Sequence, residues 1–199
     1  MTTRLITVKP SYVLGPRIVY RQVRLYYNSL EDRKPLKGNT VGSRSSVDKA
    51  YIAGFLDGDG SIMLQLKKRA DTKRGFRFMA TICFYQDTRH EKPLLWMQEV
   101  LGIGYVSRRN DAISELRING FQQIQTILTE LKPYVRFKTK QVEAMISACR
   151  IHNKSHINKL SDKQLMELVE LILVIQNENY KAHRKKSKQE FIEILGLTP

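Results

Sequence analysis

YIAGFLDGDGS, residues Tyr51 to Ser61, joins a helix-compatible apolar run to two carboxylates, Asp57 and Asp59, that alternate with Gly58 and Gly60. Ala50, Gly54 and Gly58 recur at every fourth residue and so share one helix face. A face of small residues lets a second backbone approach closely. The glycines then end the helix where an acidic side chain is presented. If the approaching helix belongs to a copy of the same chain, two acids meet side by side and can hold divalent metal ions. Two plainer readings stand beside this one: DGDG as an Asp-Gly turn, and the small-residue spacing as ordinary core packing. A calcium loop is excluded. The EF-hand pattern places glycine at loop position 6 and glutamate at position 12. Counted from Asp57, those positions are Ile62 and Lys68.

The 199 residues carry 34 Lys+Arg against 19 Asp+Glu, a formal net charge of +15. That balance points to nucleic acid, or to an anionic membrane surface. No apolar run approaches the roughly 20 residues of a membrane span, and the stretch around Leu168–Ile175 fits one helix face. Two cysteines, Cys83 and Cys149, make neither a metal spacing nor a secreted disulfide framework. Residues 1–45 form a separate basic zone. Arg17–Tyr27 alternates as a strand does, and Lys34–Ser45 is a Lys, Gly and Ser-rich linker. This extension reads as an extra DNA-contacting arm, a remnant of a fused reading frame, or a disordered basic tail.

From Ser46 to the end, residues 46–199 read as one domain. Ser46 is the expected helix cap, with Asp48 in the first turn. Ser61–Arg69 alternates as a strand, with Ile62, Leu64 and Leu66 inward. Phe76–Gln86 follows, with Phe78, Ala80, Ile82 and Phe84 inward and Arg77, Met79, Thr81 and Cys83 outward. Pro93–Leu101 is a helix, and Tyr105–Arg109 with Ile113–Ile118 a hairpin around Asn110–Asp111. The helix from Phe121 ends at Pro133. Gln141–Ile151 and a helix capped by Ser161 and Gln164 complete the chain. The order is helix, strand, strand, helix, strand, strand, helix, then further helices: an α+β fold with an antiparallel sheet packed on helices. The motif is not repeated, so a second acid must come from another subunit.

The motif resembles that of the LAGLIDADG homing endonucleases, in the branch with one motif per chain. Phe84–Gln86 (FYQ), Gly102–Val106 (GIGYV) and Leu131–Gln141 (LKPYVRFKTKQ) look like the corresponding blocks of the organellar group I intron enzymes, in the same order. The likeness runs from about Ser46 to Gln141 and more weakly beyond. It implies a saddle-shaped sheet on double-stranded DNA, a homodimer, Mg2+ (with Mn2+ as a substitute) and a double-strand break in a long pseudo-palindromic site. It also implies an organelle interior, a chloroplast ahead of a mitochondrion, or a prokaryotic cytoplasm, with no membrane partner. The alternatives are an intron maturase acting on RNA and a cleavage-inactive DNA-binding protein.

Asp59 is the metal-binding acid that the resemblance singles out. The Gly58 carbonyl beside it can be a second oxygen ligand, while Asp57 can accept hydrogen bonds near the helix end. Gln86, His90 and Lys138 match family positions around the attacking water. His90 stands where relatives carry arginine, and Arg89 is an alternative. Gln65, Lys67, Arg69, Arg77, Arg109, Glu115 and Arg117 have residue types that read base edges in the major groove. Lys73 and Arg74 are expected at phosphate, which positions without specifying. Arg136 and Lys140 extend the positive field around Lys138. Lys181, Arg184, Lys185 and Lys186 are expected to reach phosphates too.

Overall fold

In this computed structural model the residues described are 45–70, 75–154, 160–179 and 185–197. The expected strand at Arg17–Tyr27, the turn residues Lys73 and Arg74, and the phosphate candidates Lys181 and Arg184 lie outside them. The element order matches the expectation. Helix α1 (Ser46–Asp59) leads into β1 (Gly60–Lys68) and β2 (Phe76–Asp87), then a 3-10 turn (Thr88–His90) and α2 (Lys92–Leu101). Strands β3 (Tyr105–Arg108) and β4 (Ile113–Asn119) precede α3 (Phe121–Leu131), a 3-10 turn (Lys132–Tyr134), α4 (Thr139–Lys154), α5 (Asp162–Glu178) and α6 (Lys188–Leu195).

The four strands form one antiparallel sheet in the order β1-β2-β4-β3. Its inward face carries Ile62, Leu64 and Leu66 beside Phe78, Ala80, Ile82 and Phe84, then Leu116 and Ile118, all buried. Period-2 alternation put these residues on one side of a pleated surface. The helices supply the facing layer: Ile52 and Leu56 from α1, Leu94 and Met97 from α2, Ile124 and Leu128 from α3, Val142 and Met145 from α4, and Leu165, Leu168 and Ile172 from α5 join the same core.

The ends of the elements refine the sequence reading. Ser45, not Ser46, caps α1, its hydroxyl accepting from the Asp48 N–H at 3.0 Å. The end of α1 carries no left-handed residue. Gly60 is extended (φ −91°, ψ 158°), and it is glycine for another reason: a Cβ there would lie 2.7 Å from the Leu56 backbone. The strand folds back so tightly on its helix that only a hydrogen fits. Helix α2 does end conventionally, with Gly102 left-handed and its N–H donated to Gln98 and Glu99. Helix α6 was not foreseen as a separate element, although the Ser187/Glu190 capping box that starts it stands in the sequence.

Gly104 combines two demands. Its φ is +102°, and a Cβ would meet Leu116 Cδ1 at 2.9 Å and the Arg117 carbonyl at 3.0 Å. Gly104→Ala is therefore expected to destabilise the fold by about 3 kcal/mol, from backbone strain and overpacking together. Urea denaturation would measure this, and an unchanged midpoint would refute it.

Candidate nucleic-acid interface and metal centre

The tip of α1 and the turn at residues 135–139 lock each other in place. Asp57 accepts backbone N–H bonds from Arg136 (2.6 Å) and Lys138 (3.0 Å). In return the Lys138 ammonium donates to the carbonyls of Leu56 (2.9 Å), Asp57 (2.6 Å) and Gly58 (3.3 Å). The last carbonyls of a helix have no partner within it and carry the negative end of its dipole. Lys138 is thus a C-cap supplied from 80 residues away. Burial pushes its pKa down, and the nearby Asp57 and Asp59 charges oppose that shift. All three ammonium donors are engaged in this arrangement, and the bond to Gly58 is the longest.

Asp59, one residue past that cap, is exposed. Among the described residues no set of three or more His, Cys, Asp or Glu side chains could hold a metal ion. At this tip the described residues offer one exposed carboxylate, Asp59, with the Gly58 carbonyl beside it. Both are hard oxygen donors that suit magnesium or calcium, but they make at most part of a shell. Asp59, Gly58, Gln86 and Lys138 line a single open cleft of about 1330 Å³, together with Ser61, Gln65, Lys67, Tyr85, Asn179 and Lys186. Gln86 Oε1 accepts from the Asp87 N–H at 2.9 Å, which leaves the amide nitrogen as the available end.

His90 is exposed in the 3-10 turn and does not line this cleft. Its alternative, Arg89, is held by Asp87 through Nε (3.0 Å) and Nη2 (2.8 Å). That pairing lowers Asp87 to about 2. Glu91 ties the same segment to the β3–β4 hairpin by accepting from Arg108 Nε (3.0 Å) and the buried Ser114 hydroxyl (2.7 Å). Its folded pKa is lowered, with Arg108 the main cause. This contribution to stability is intact above the unfolded carboxylate range and fades as pH falls through the lower folded value. Glu91→Gln should therefore flatten the acid limb of a stability-against-pH curve. Identical acid limbs in wild type and variant would rule this out.

The sheet face opposite the core carries the expected basic and polar side chains. Lys67 and Arg77 are exposed and directly opposite each other in the β1–β2 register. Like charges so placed destabilise a sheet on its own, and an anionic partner removes that cost. Arg109 pairs with Asp111 at 2.8 Å in the hairpin, and Lys140 with Glu178 at 3.0 Å. Thr81 and Cys83 lie on this face as expected, yet both are buried. Burial pushes the Cys83 thiol up, and Cys149 to about 12. Glu115, expected to reach a base, is only 7 % exposed and bound to Arg117. Lys186 stands 5.9 Å over the Phe191 ring at the cleft's far wall. The Lys138 cap has no local sequence signal, because it joins residues 80 apart. Glu115 and Arg117 stand two apart on one strand and so share a face, but the burial of Glu115 is set by the strands that flank it.

A helix tip presenting one carboxylate, a polar-basic antiparallel sheet beside it, and helices behind make the arrangement expected of a LAGLIDADG-type protein. The profile of the LAGLIDADG endonuclease family matches residues 52–152, and the chain belongs to that family. It is 35 % identical over 97 residues to DNA endonuclease I-CvuI of Chlorella vulgaris, covering 49 % of this chain and 60 % of that protein. It is 31 % identical over 96 residues to DNA endonuclease I-CreI of Chlamydomonas reinhardtii, covering 48 % and 58 %. The matched region thus spans less than two thirds of either relative. The crystal structure of I-CvuI in complex with its target, with calcium present, superposes with a TM-score of 0.68 at 27 % identity, over 77 % of this chain and 97 % of that one.

Proposed function

We propose that this chain is a site-specific DNA endonuclease that acts as a homodimer and makes a divalent-metal-dependent double-strand break, so that an intron of an organellar genome is copied into an intronless allele. The observation that carries the reading is the shared cleft. Asp59, Gln86 and Lys138 come from three separate elements, line one opening, and adjoin the sheet face with its opposed Lys67 and Arg77.

The dimer rests on α1. Gly54 and Gly58 are exposed, and a Cβ at either would meet nothing within 4 Å. Each glycine costs a helix about 1 kcal/mol relative to alanine, and no contact among the described residues requires it. Ala50 is exposed on the same face, as are Val47 at 74 % and Tyr51 at 53 %. Phe137, 85 % exposed, stands in the turn locked to the α1 tip. Packing this face on its copy covers the apolar side chains and brings two Asp59 carboxylates together.

Asp59 of each copy, with the Gly58 carbonyl, would then hold Mg2+, for which Mn2+ substitutes as an oxygen-seeking ion of similar preference. The chemistry such an ion would supply there is activation of a water and stabilisation of the leaving oxygen. The protein groups do the rest. Asp57 and Lys138 fix the helix tip, and the Gln86 amide orients a water in the cleft. The sheet residues hold the major groove, and Lys185, Lys186 and Arg136 add positive charge around it. Among the described residues, no helix is long and apolar enough to cross a membrane. The test is incubation of the purified chain with a duplex joining the exons that flank its reading frame. Magnesium-dependent cutting of both strands is expected. Binding to the intron RNA with no cutting of the duplex would overturn the reading.

A further inference from the structure

The Glu115–Arg117 pair occupies the sheet face expected to read bases, and a carboxylate there is out of keeping with a surface for polyanions. Residues two apart on a strand share a face, so both side chains rise from β4 on the side away from the core. In the register Arg117 lies between Cys83 of β2 and Tyr105 of β3, and Glu115 between Tyr85 and Ser107. Strands on both sides leave the arginine no lateral escape and direct it outward. Glu115 Oε1 accepts from Arg117 Nε at 3.0 Å and lies 2.9 Å from Nη2. The Ser107 hydroxyl is 3.5 Å from the same oxygen. The arginine side chain remains 30 % exposed, while the glutamate side chain is only 9 % exposed.

One edge of the guanidinium is therefore occupied, and the end formed by Nη1 and the second Nη2 hydrogen stays open to the face. Two adjacent donors in one plane are what guanine O6 and N7 accept in the major groove. A long side chain already held in place loses less freedom on binding than a free one. Glu115 itself is too enclosed to reach a cytosine amine.

We infer that Glu115 is a positioning residue that holds Arg117 in the orientation that reads guanine, making the pair a specificity determinant of this chain. The inference rests on the DNA-binding reading above. The competing role is a neutral ion pair that only stabilises the sheet.

Selection from a duplex library by the full-length chain, with calcium in place of magnesium so that bound DNA stays uncut, separates the two. Wild type should enrich guanine at one symmetric pair of positions. Arg117→Ala should lower that preference about tenfold at those positions alone, the size of a lost bidentate contact. Glu115→Ala should relax the same pair of positions several-fold, Glu115→Gln less, because it keeps one acceptor oxygen, and the double variant Glu115→Ala/Arg117→Ala no further than Arg117→Ala. If Glu115→Ala does not fold, as judged by circular dichroism, Glu115→Gln carries the test. An unchanged profile in the Glu115 variants, or an even loss across all positions, overturns the inference while leaving the endonuclease reading intact. Failure of the wild-type chain to enrich any duplex sinks both.

Discussion

Asp59→Asn should abolish cleavage, with a loss of roughly 10⁴-fold, as when a member of a tightly coupled catalytic group is removed. The side chain is exposed at the α1 tip, so the substitution disturbs no packing. The helix end stays fixed, because Asp57 and Lys138 make the bonds that hold it. What is lost is the negative oxygen proposed as a metal ligand. Affinity for the target should stay within a few-fold, since Asp59 lies outside the outward residues of the sheet and removing two close negative charges from the dimer opposes any weakening. Filter binding in calcium and cleavage in magnesium would measure both effects together. Undiminished cutting by the variant would move the metal site elsewhere.

Gly54→Leu should convert the proposed dimer to a monomer that cannot break both strands. Among the described residues, a Cβ at this position meets nothing within 4 Å beyond its own helix backbone. The single chain should therefore fold at least as stably as wild type, because leucine is a better helix former than glycine by about 1 kcal/mol. Close packing of two helices on a small-residue face does not tolerate a side chain of that size. Analytical ultracentrifugation and a thermal melt read the two halves of the expectation separately. An intact dimer would put the interface on another surface, and a variant unfolded as a monomer would show that Gly54 is needed inside the chain.

The strands and most helices were legible because their signals are local and periodic. Ile62, Leu64 and Leu66 alternate on β1, and Phe121, Ile124, Leu128 and Leu131 repeat at helical spacing on α3; each set is buried where that spacing places it. Amphipathic periodicity works because the chain must bury one face whatever partner it finds. Boundaries moved by a few residues where the cap was a tertiary matter, as at the α4 start, Thr139 instead of Gln141. The motif's acids were legible as such, and Asp57 accepts two backbone bonds near the helix end as expected, while Asp59 is exposed.

Three things were decided only by the folded chain. Gly60 is required by the closeness of Leu56 and not by a left-handed backbone, a difference set by the angle at which β1 leaves its helix. Lys138 caps α1 with three carbonyls, although its sequence neighbourhood reads as plain basic charge. Glu115, alternating in phase with the base-reading residues, is turned by Arg117 into an internal partner. Residue type and strand phase determine which side of the sheet a side chain takes. Whether it is then free to meet a ligand depends on which opposite charges and unsatisfied backbone groups the fold brings within about 3 Å of it. These come from residues far away in the sequence, as at Lys138, or from the same strand, as Arg117 does for Glu115.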